Sequence, residues 1–124
     1  MDYKLTKNFS VSEFGCRCGQ CIYSSGYGIN RPLVVSLQHI RDIFKRPMPI
    51  NSGIRCYKWN ESVGGAKKSQ HLPSQGCRGV DIGVNDREGR IIIIREALKL
   101  GLSVGIHKSF IHLDNRNLQR VFTY

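Results

Sequence analysis

Long apolar runs are scarce in this chain, and their scarcity sets the first limits on its function. The longest aliphatic run, at residues 91–94, has four residues, whereas a membrane-spanning helix needs about 20. The stretch MDYKLTKNFSVSEF at the start has no apolar core of the signal-peptide kind. We therefore expect no membrane span and a protein that is cytoplasmic when made, which either works there or is carried or released to its substrate by another factor.

Acidic residues are also few, since nine Asp and Glu face nineteen Lys and Arg, a formal charge of +10. Such a surplus favours an anionic partner through long-range attraction. Nucleic acid, an acidic membrane face and the anionic bacterial cell wall all fit. The basic residues are spread along the chain, so charge alone does not choose among these partners, and general solubility is the plainer explanation.

The cysteines number five, and an odd count without an export signal argues against a disulfide framework. Reduced thiols or metal ligation fit better. One subset is compatible with a structural tetrahedral zinc, although its spacing is not one of the standard pairs. It consists of Cys16, Cys18, Cys21 and Cys56. The alternative is that these are buried thiols that pack as small hydrophobes; Cys77 is left unpaired.

A chain of 124 residues suits one domain, which we take as residues 1–124. Helical segments are predicted at 10–15, 31–45, 56–63 and 87–100. The clearest is 31–45, where apolar residues recur at helical spacing. The four β-branched isoleucines at 91–94 make a strand a rival for the last helix.

Strands are predicted at 48–54, 79–84, 103–107, 109–114 and 119–123. The expected fold class is α+β, with helices packed on a small, mostly antiparallel sheet.

Three residues combine into a candidate metal site. Asp81 and His112 each interrupt an apolar, strand-like run, and a carboxylate buried there needs a compensating charge or hydrogen bonds. With His71 they make two imidazoles and one carboxylate, a familiar catalytic zinc set with a position open for water. Each histidine taken alone is more often a structural residue.

The motifs around these residues resemble a known family. Ser69, His71, Asp81 and Ile82 match its SxHxxGxAxDI pattern, and the run at 110–114 resembles its FVHxD form. The family comprises zinc D-alanyl-D-alanine carboxypeptidases and related peptidoglycan endopeptidases, among them phage endolysins, and it shares a metal-site core with the hedgehog signalling domain. Further similarity to a phage-associated branch extends the resemblance over about residues 8–116.

The resemblance implies a zinc peptidase acting on peptidoglycan stem peptides, with His71, Asp81 and His112 as ligands. It also implies a phage or prophage lysis protein that reaches the cell wall after release. Arg55 is expected to bind a substrate carboxylate or oxyanion, and Ser69 to hydrogen-bond near the metal.

Two departures from the family pattern stand out. The loop between the first His and the Asp is longer than usual, with nine residues at 72–80. Several relatives carry an acidic catalytic base three residues before the last His, where this chain has Ser109. Asp114 is our first candidate for the catalytic base. Its alternative role is to orient a ligand or to pair with Arg116. His107 is the reserve candidate for the base.

Competing functions remain open from the sequence. One alternative is a non-catalytic, zinc-stabilised module that binds cell-wall polymer, in which Ser109 marks a lost base. A Cys-rich zinc module for nucleic acid is weaker, because no aromatic-basic recognition motif accompanies it. We expect a monomer that binds no specific nucleic acid.

Overall fold

The computed structural model describes residues 2–124, and its elements follow the predicted order closely. The α-helices are α1 (Arg31–Phe44), α2 (Tyr57–Ser62) and α3 (Arg87–Lys99), and 3-10 turns lie at Val11–Phe14, Ile22–Ser25 and Pro73–Gln75. The strands are β1 (Ile50–Ser52), β2 (Gly79–Gly83), β3 (Ser103–Ile106), β4 (Phe110–Asp114) and β5 (Val121–Thr123). The α+β class is confirmed.

Local chemistry accounts for the helix boundaries. Asn30 caps α1 by accepting a hydrogen bond from the Leu33 amide at 3.0 Å. Asp86 caps α3 in the same way through the Gly89 amide at 2.9 Å. Residues 91–94 are therefore helical, and the rival strand is wrong: the cap starts a helix, and Ile93 alone of the four isoleucines is fully buried.

The sheet has the order β1-β2-β4-β3-β5; β3 and β5 run parallel, and the other neighbouring pairs run antiparallel. The strand predicted at 48–54 is shorter, because the chain leaves the ladder after Ser52. The Ile54 amide instead donates to the Phe14 carbonyl at 2.9 Å. Residues 53–56 thereby pack against the N-terminal segment, a position that matters for the site.

The core lies between the sheet and the helices α1 and α3, which contact each other. Its central side chains are Leu33, Leu37, Ile40, Val80, Ile82, Ile93, Ala97, Val104, Ile111 and Leu113. Because side chains alternate along a strand, the neighbours of these residues on β2 and β4 point to the opposite face. Among residues 2–124, no helix is both long and apolar enough to cross a bilayer.

A pair of substitutions on α1 tests this packing. The Leu37 side chain is fully buried and Val35 is 62% exposed. Leu37→Ala should lower the free energy of unfolding by about 2–5 kcal/mol, because it leaves a cavity. Val35→Ala should change it by less than about 0.5 kcal/mol. Urea unfolding of both zinc-loaded variants measures the difference, and equal values would place the core elsewhere.

Candidate metal centre

The sheet register brings two of the candidate ligands together. Asp81 on β2 is directly paired with His112 on β4, so their side chains are neighbours on the face away from α1 and α3. His112 Nδ1 lies 2.9 Å from Asp81 Oδ1. Both residues are buried.

The third candidate, His71, reaches the same point from the loop before β2. Gly79 lets this loop cross the strand closely, because a Cβ there would sit 3.1 Å from the His71 backbone nitrogen. His71 Nε2 lies 3.2 Å from Asp81 Oδ1. Its other ring nitrogen, Nδ1, donates to the Gly53 carbonyl at 2.6 Å.

The ring orientations fit a cation. Because the Gly53 carbonyl requires a proton on His71 Nδ1, Nε2 of a neutral ring presents a lone pair. The His112 ring likewise uses Nε2 toward Asp114 Oδ2, at 2.7 Å, and presents Nδ1. The two ring nitrogens and an Asp81 oxygen lie within 4.8 Å of one another, so three acceptors converge on one place, which is the chemistry of a zinc site.

The longer loop between His71 and Asp81 does not separate them. Its extra residues form the 3-10 turn Pro73–Gln75, which ends at Gly76 in the left-handed conformation, with φ of 96°. The loop is fastened at its end, where the Cys77 carbonyl accepts from the Asn30 amide at 3.0 Å.

Asp114 is fully buried, and both of its carboxylate oxygens accept hydrogen bonds. Its Oδ1 accepts from the amide and Nε of Arg116, and its Oδ2 accepts from Arg116 and His112. Burial alone would raise the pKa of Asp114, but the bonds from Arg116 and His112 outweigh it and lower that pKa. Burial opposes the charged form of His112, yet its bonds to Asp114 and Asp81 raise the His112 pKa. Asp114 is thus placed to orient His112.

Arg55 holds the other oxygen of Asp81, with Nη2 3.0 Å from Oδ2. Its Nε donates to Ser52 Oγ at 3.0 Å and its Nη1 to Asn60 Oδ1 at 3.3 Å. A guanidinium has more donors than these contacts use, and Arg55 also lines the cleft. Burial raises the pKa of Asp81, but its close contacts with the His112 and His71 rings outweigh burial and lower it. For His71, burial prevails and lowers the pKa.

The three candidates lie at a cleft of about 350 Å³ that His71 and His112 help to line. Ser69 lines it, and its Oγ accepts a hydrogen bond from the His71 backbone amide at 3.3 Å. Four cationic side chains line the same cleft, Arg55, Lys68, Arg116 and Arg120. Within residues 2–124, no carboxylate is among the lining residues, so the surface offered to a ligand is basic.

Sequence reasoning missed the aromatic wall of the cleft. Phe122 lies beside His112, with ring centroids 5.7 Å apart, and Tyr124 follows two residues later. Gly105 makes room for this wall, because a Cβ there would meet the Phe122 ring at 2.5 Å. Burial raises the pKa of Tyr124 to about 12, so its hydroxyl stays protonated. The alternation of Phe122 and Tyr124 is visible in the sequence, but nothing local to it indicates that β5 pairs with β3 beside His112.

His107, the reserve candidate for the catalytic base, and Ser109, which replaces the acidic residue of several relatives, are not among the residues that line this cleft. The His107 ring stacks on Phe110 at 4.3 Å and is not among the lining residues. His107 Nδ1 accepts a hydrogen bond from the Ser109 backbone amide at 3.1 Å, and the Ser109 hydroxyl oxygen lies 3.0 Å from the same nitrogen. Ser109 is exposed.

The structure also assembles the predicted cysteine set. Cys16, Cys18, Cys21 and Cys56 each offer a sulfur, and the four sulfurs lie within 4.8 Å of one another. Cys77 is buried apart from them, in the core.

A site of three protein donors beside an open cleft is typical of a catalytic metal, whereas structural zinc is closed by four protein ligands. The fold and the donor set are thus those expected of a small metalloenzyme. The family model for Peptidase M15 matches residues 7–114, most of the chain, which therefore belongs to the Peptidase M15 family of zinc-dependent metallopeptidases. The family expected from the motifs is confirmed. No curated protein matched the chain in a sequence search.

The engagement of Asp114 makes a measurable prediction. Asp114→Asn should weaken zinc binding about 10- to 100-fold, because the partner that fixes a histidine ligand is altered. Competition with a chromophoric chelator measures the affinity, and Asp86→Asn at an exposed carboxylate is the matched control. Unchanged affinity combined with lost hydrolysis would instead identify Asp114 as the base.

Proposed function

We propose that this protein is a zinc-dependent peptidase that hydrolyses amide bonds in peptidoglycan stem peptides, as a D-Ala-D-Ala carboxypeptidase or an endopeptidase. The proposed zinc ligands are His71, Asp81 and His112. The observation that carries the proposal is their convergence beside a basic cleft in a chain of the Peptidase M15 family.

The chemistry follows from the donor set. Zinc in such a site polarises the scissile carbonyl and activates water for attack at neutral pH. His71 and His112 would present neutral rings, held by the Gly53 carbonyl and Asp114 respectively. Arg55, whose guanidinium has donors left over, would bind a substrate carboxylate or the oxygen that becomes negative during attack.

The cleft suits an anionic peptide. Within residues 2–124, the side chains of Lys68 and Arg120 have no hydrogen-bond or ion-pair partner, although both line the cleft. They are available for the carboxylates of stem peptides. The Tyr124 hydroxyl, with its raised pKa, adds a neutral donor, and Phe122 adds an apolar wall. The formal charge of +10 would retain the protein on an anionic wall.

We also propose a biological origin for the protein. The motif resemblance points to a phage or prophage lysis protein that acts on the wall after release.

One observation favours the second candidate, a non-catalytic wall-binding module. The two carboxylates near the histidines, Asp81 and Asp114, are both engaged, and the cleft within residues 2–124 presents no free one. Ser109 stands where relatives carry an acidic base. Hydrolysis separates the two functions.

Digestion of purified peptidoglycan tests the proposal. The zinc-loaded protein should release D-alanine or new stem-peptide ends, read by mass spectrometry. His71→Ala should reduce release to the level without enzyme, because a ligand is lost. His39→Ala, the same substitution at an exposed residue on α1, should retain full activity.

The products also name the bond: free D-alanine indicates the carboxypeptidase, and new internal ends indicate the endopeptidase. Absence of products from the folded protein, with zinc bound at His71, would contradict the peptidase and favour the module.

The basic cleft predicts a second result. Arg120→Gln should lower kcat/KM about 3- to 5-fold, mainly through KM, because an exposed ion pair contributes up to about 1 kcal/mol. Arg87→Gln removes the same charge from the exposed start of α3 and should have no such effect. Steady-state kinetics on a soluble stem peptide compares them, and equal losses would assign the effect to net charge alone.

A further inference from the structure

Four cysteines form a second cluster, which shares no residue with the three-donor site. Cys16, Cys18 and Cys21 lie in the N-terminal loop, whereas Cys56 precedes α2. The sulfurs of Cys18 and Cys56 are 3.9 Å apart. A tetrahedral zinc with Zn–S bonds of about 2.3 Å places its sulfurs about 3.8 Å apart.

Backbone amides point at the sulfurs. The Cys56 amide donates to Cys16 Sγ at 3.3 Å, the Gln20 amide to Cys18 Sγ at 3.4 Å, and the Trp59 amide to Cys56 Sγ at 3.4 Å. Such bonds favour the thiolate, the form that binds metal.

The loop that carries three of the cysteines is held by close backbone contacts. A Cβ on Gly15 would meet the Ser24 carbonyl oxygen, and one on Gly26 would meet the Val11 carbonyl oxygen, both well inside contact distance. The Cys16 amide also donates to the Tyr23 carbonyl at 2.9 Å. The sulfurs are therefore brought together by a packed loop rather than by a loose one.

We propose that Cys16, Cys18, Cys21 and Cys56 bind a second zinc ion with a structural role. Four thiolates complete a tetrahedral shell, which leaves no position for water or substrate. The site would join the N-terminal loop to Cys56, the residue that precedes α2.

Residues 53–56 connect the cysteine cluster to the three-donor site. Within residues 53–56, the Gly53 carbonyl holds His71 and the Arg55 side chain holds Asp81. Cys56 is the next residue and belongs to the cysteine cluster. Zinc bound to the cysteines would therefore fix the segment that positions His71 and Asp81.

Metal analysis of His71→Ala tests the second site independently of any peptidase activity. Purified under reducing conditions, this variant should retain one zinc per chain, and the wild type two. X-ray absorption of the variant should show four sulfur neighbours at about 2.3 Å. The wild type should show an average of two sulfurs per zinc, which keeps the test valid if the variant does not fold.

Three results would overturn the proposal. One is a folded His71→Ala protein free of zinc. Another is a zinc shell of nitrogen and oxygen only. The last is fewer than five alkylatable thiols in the denatured, unreduced protein, because that would indicate disulfides in the cluster.

The link between the sites has its own test. Cys18→Ser should lose the cysteine-bound zinc and weaken zinc binding at His71 about 10-fold, as expected when the groups that orient a ligand loosen. Cys77→Ala, outside the cluster, should retain both zinc ions and full affinity. Chelator competition measures the affinity. Two zinc ions in Cys18→Ser would contradict the site, and unchanged affinity at His71 would contradict the link.

Discussion

The buried carboxylate of Asp81 is the constraint on which the rest of the structure depends. Its side chain is only 5% exposed, and an uncompensated charge there would be strongly destabilising. Compensation comes from three directions: His112 across the sheet, His71 from the preceding loop and Arg55 from the segment after β1. The register of β2 and β4, the loop before β2 and the segment after β1 together bring these groups to one carboxylate.

The two faces of the sheet have different roles in the structure. On β2 and β4, alternate residues pack against α1 and α3 and form the core, while the intervening ones carry the polar site. Residues 53–56 then join the site to the N-terminal loop: the Ile54 amide binds the Phe14 carbonyl, and a Cβ on Gly53 would meet the Phe14 oxygen at 2.5 Å. This contact is the physical basis for the link that we propose between the N-terminal loop and the metal centre.

Much of this arrangement could be predicted from local pattern. Apolar spacing and Asn30 located α1, and the polar interruptions of apolar strands located Asp81 and His112. The cleft wall could not be predicted, because Phe122 reaches His112 only through the parallel pairing of β5 with β3, which no local signal reveals. The role of Asp114 was also undetermined, since strand alternation places it beside His112 but does not say which ring nitrogen it binds or that Arg116 occupies it.

The most direct measurement is anomalous diffraction at the zinc absorption edge from crystals grown with zinc. We expect a peak bounded by His71 Nε2, Asp81 Oδ1 and His112 Nδ1, with His112 Nε2 still hydrogen-bonded to Asp114. A well-ordered crystal with no anomalous peak between these three atoms would contradict the central claim, whatever the cysteine cluster binds.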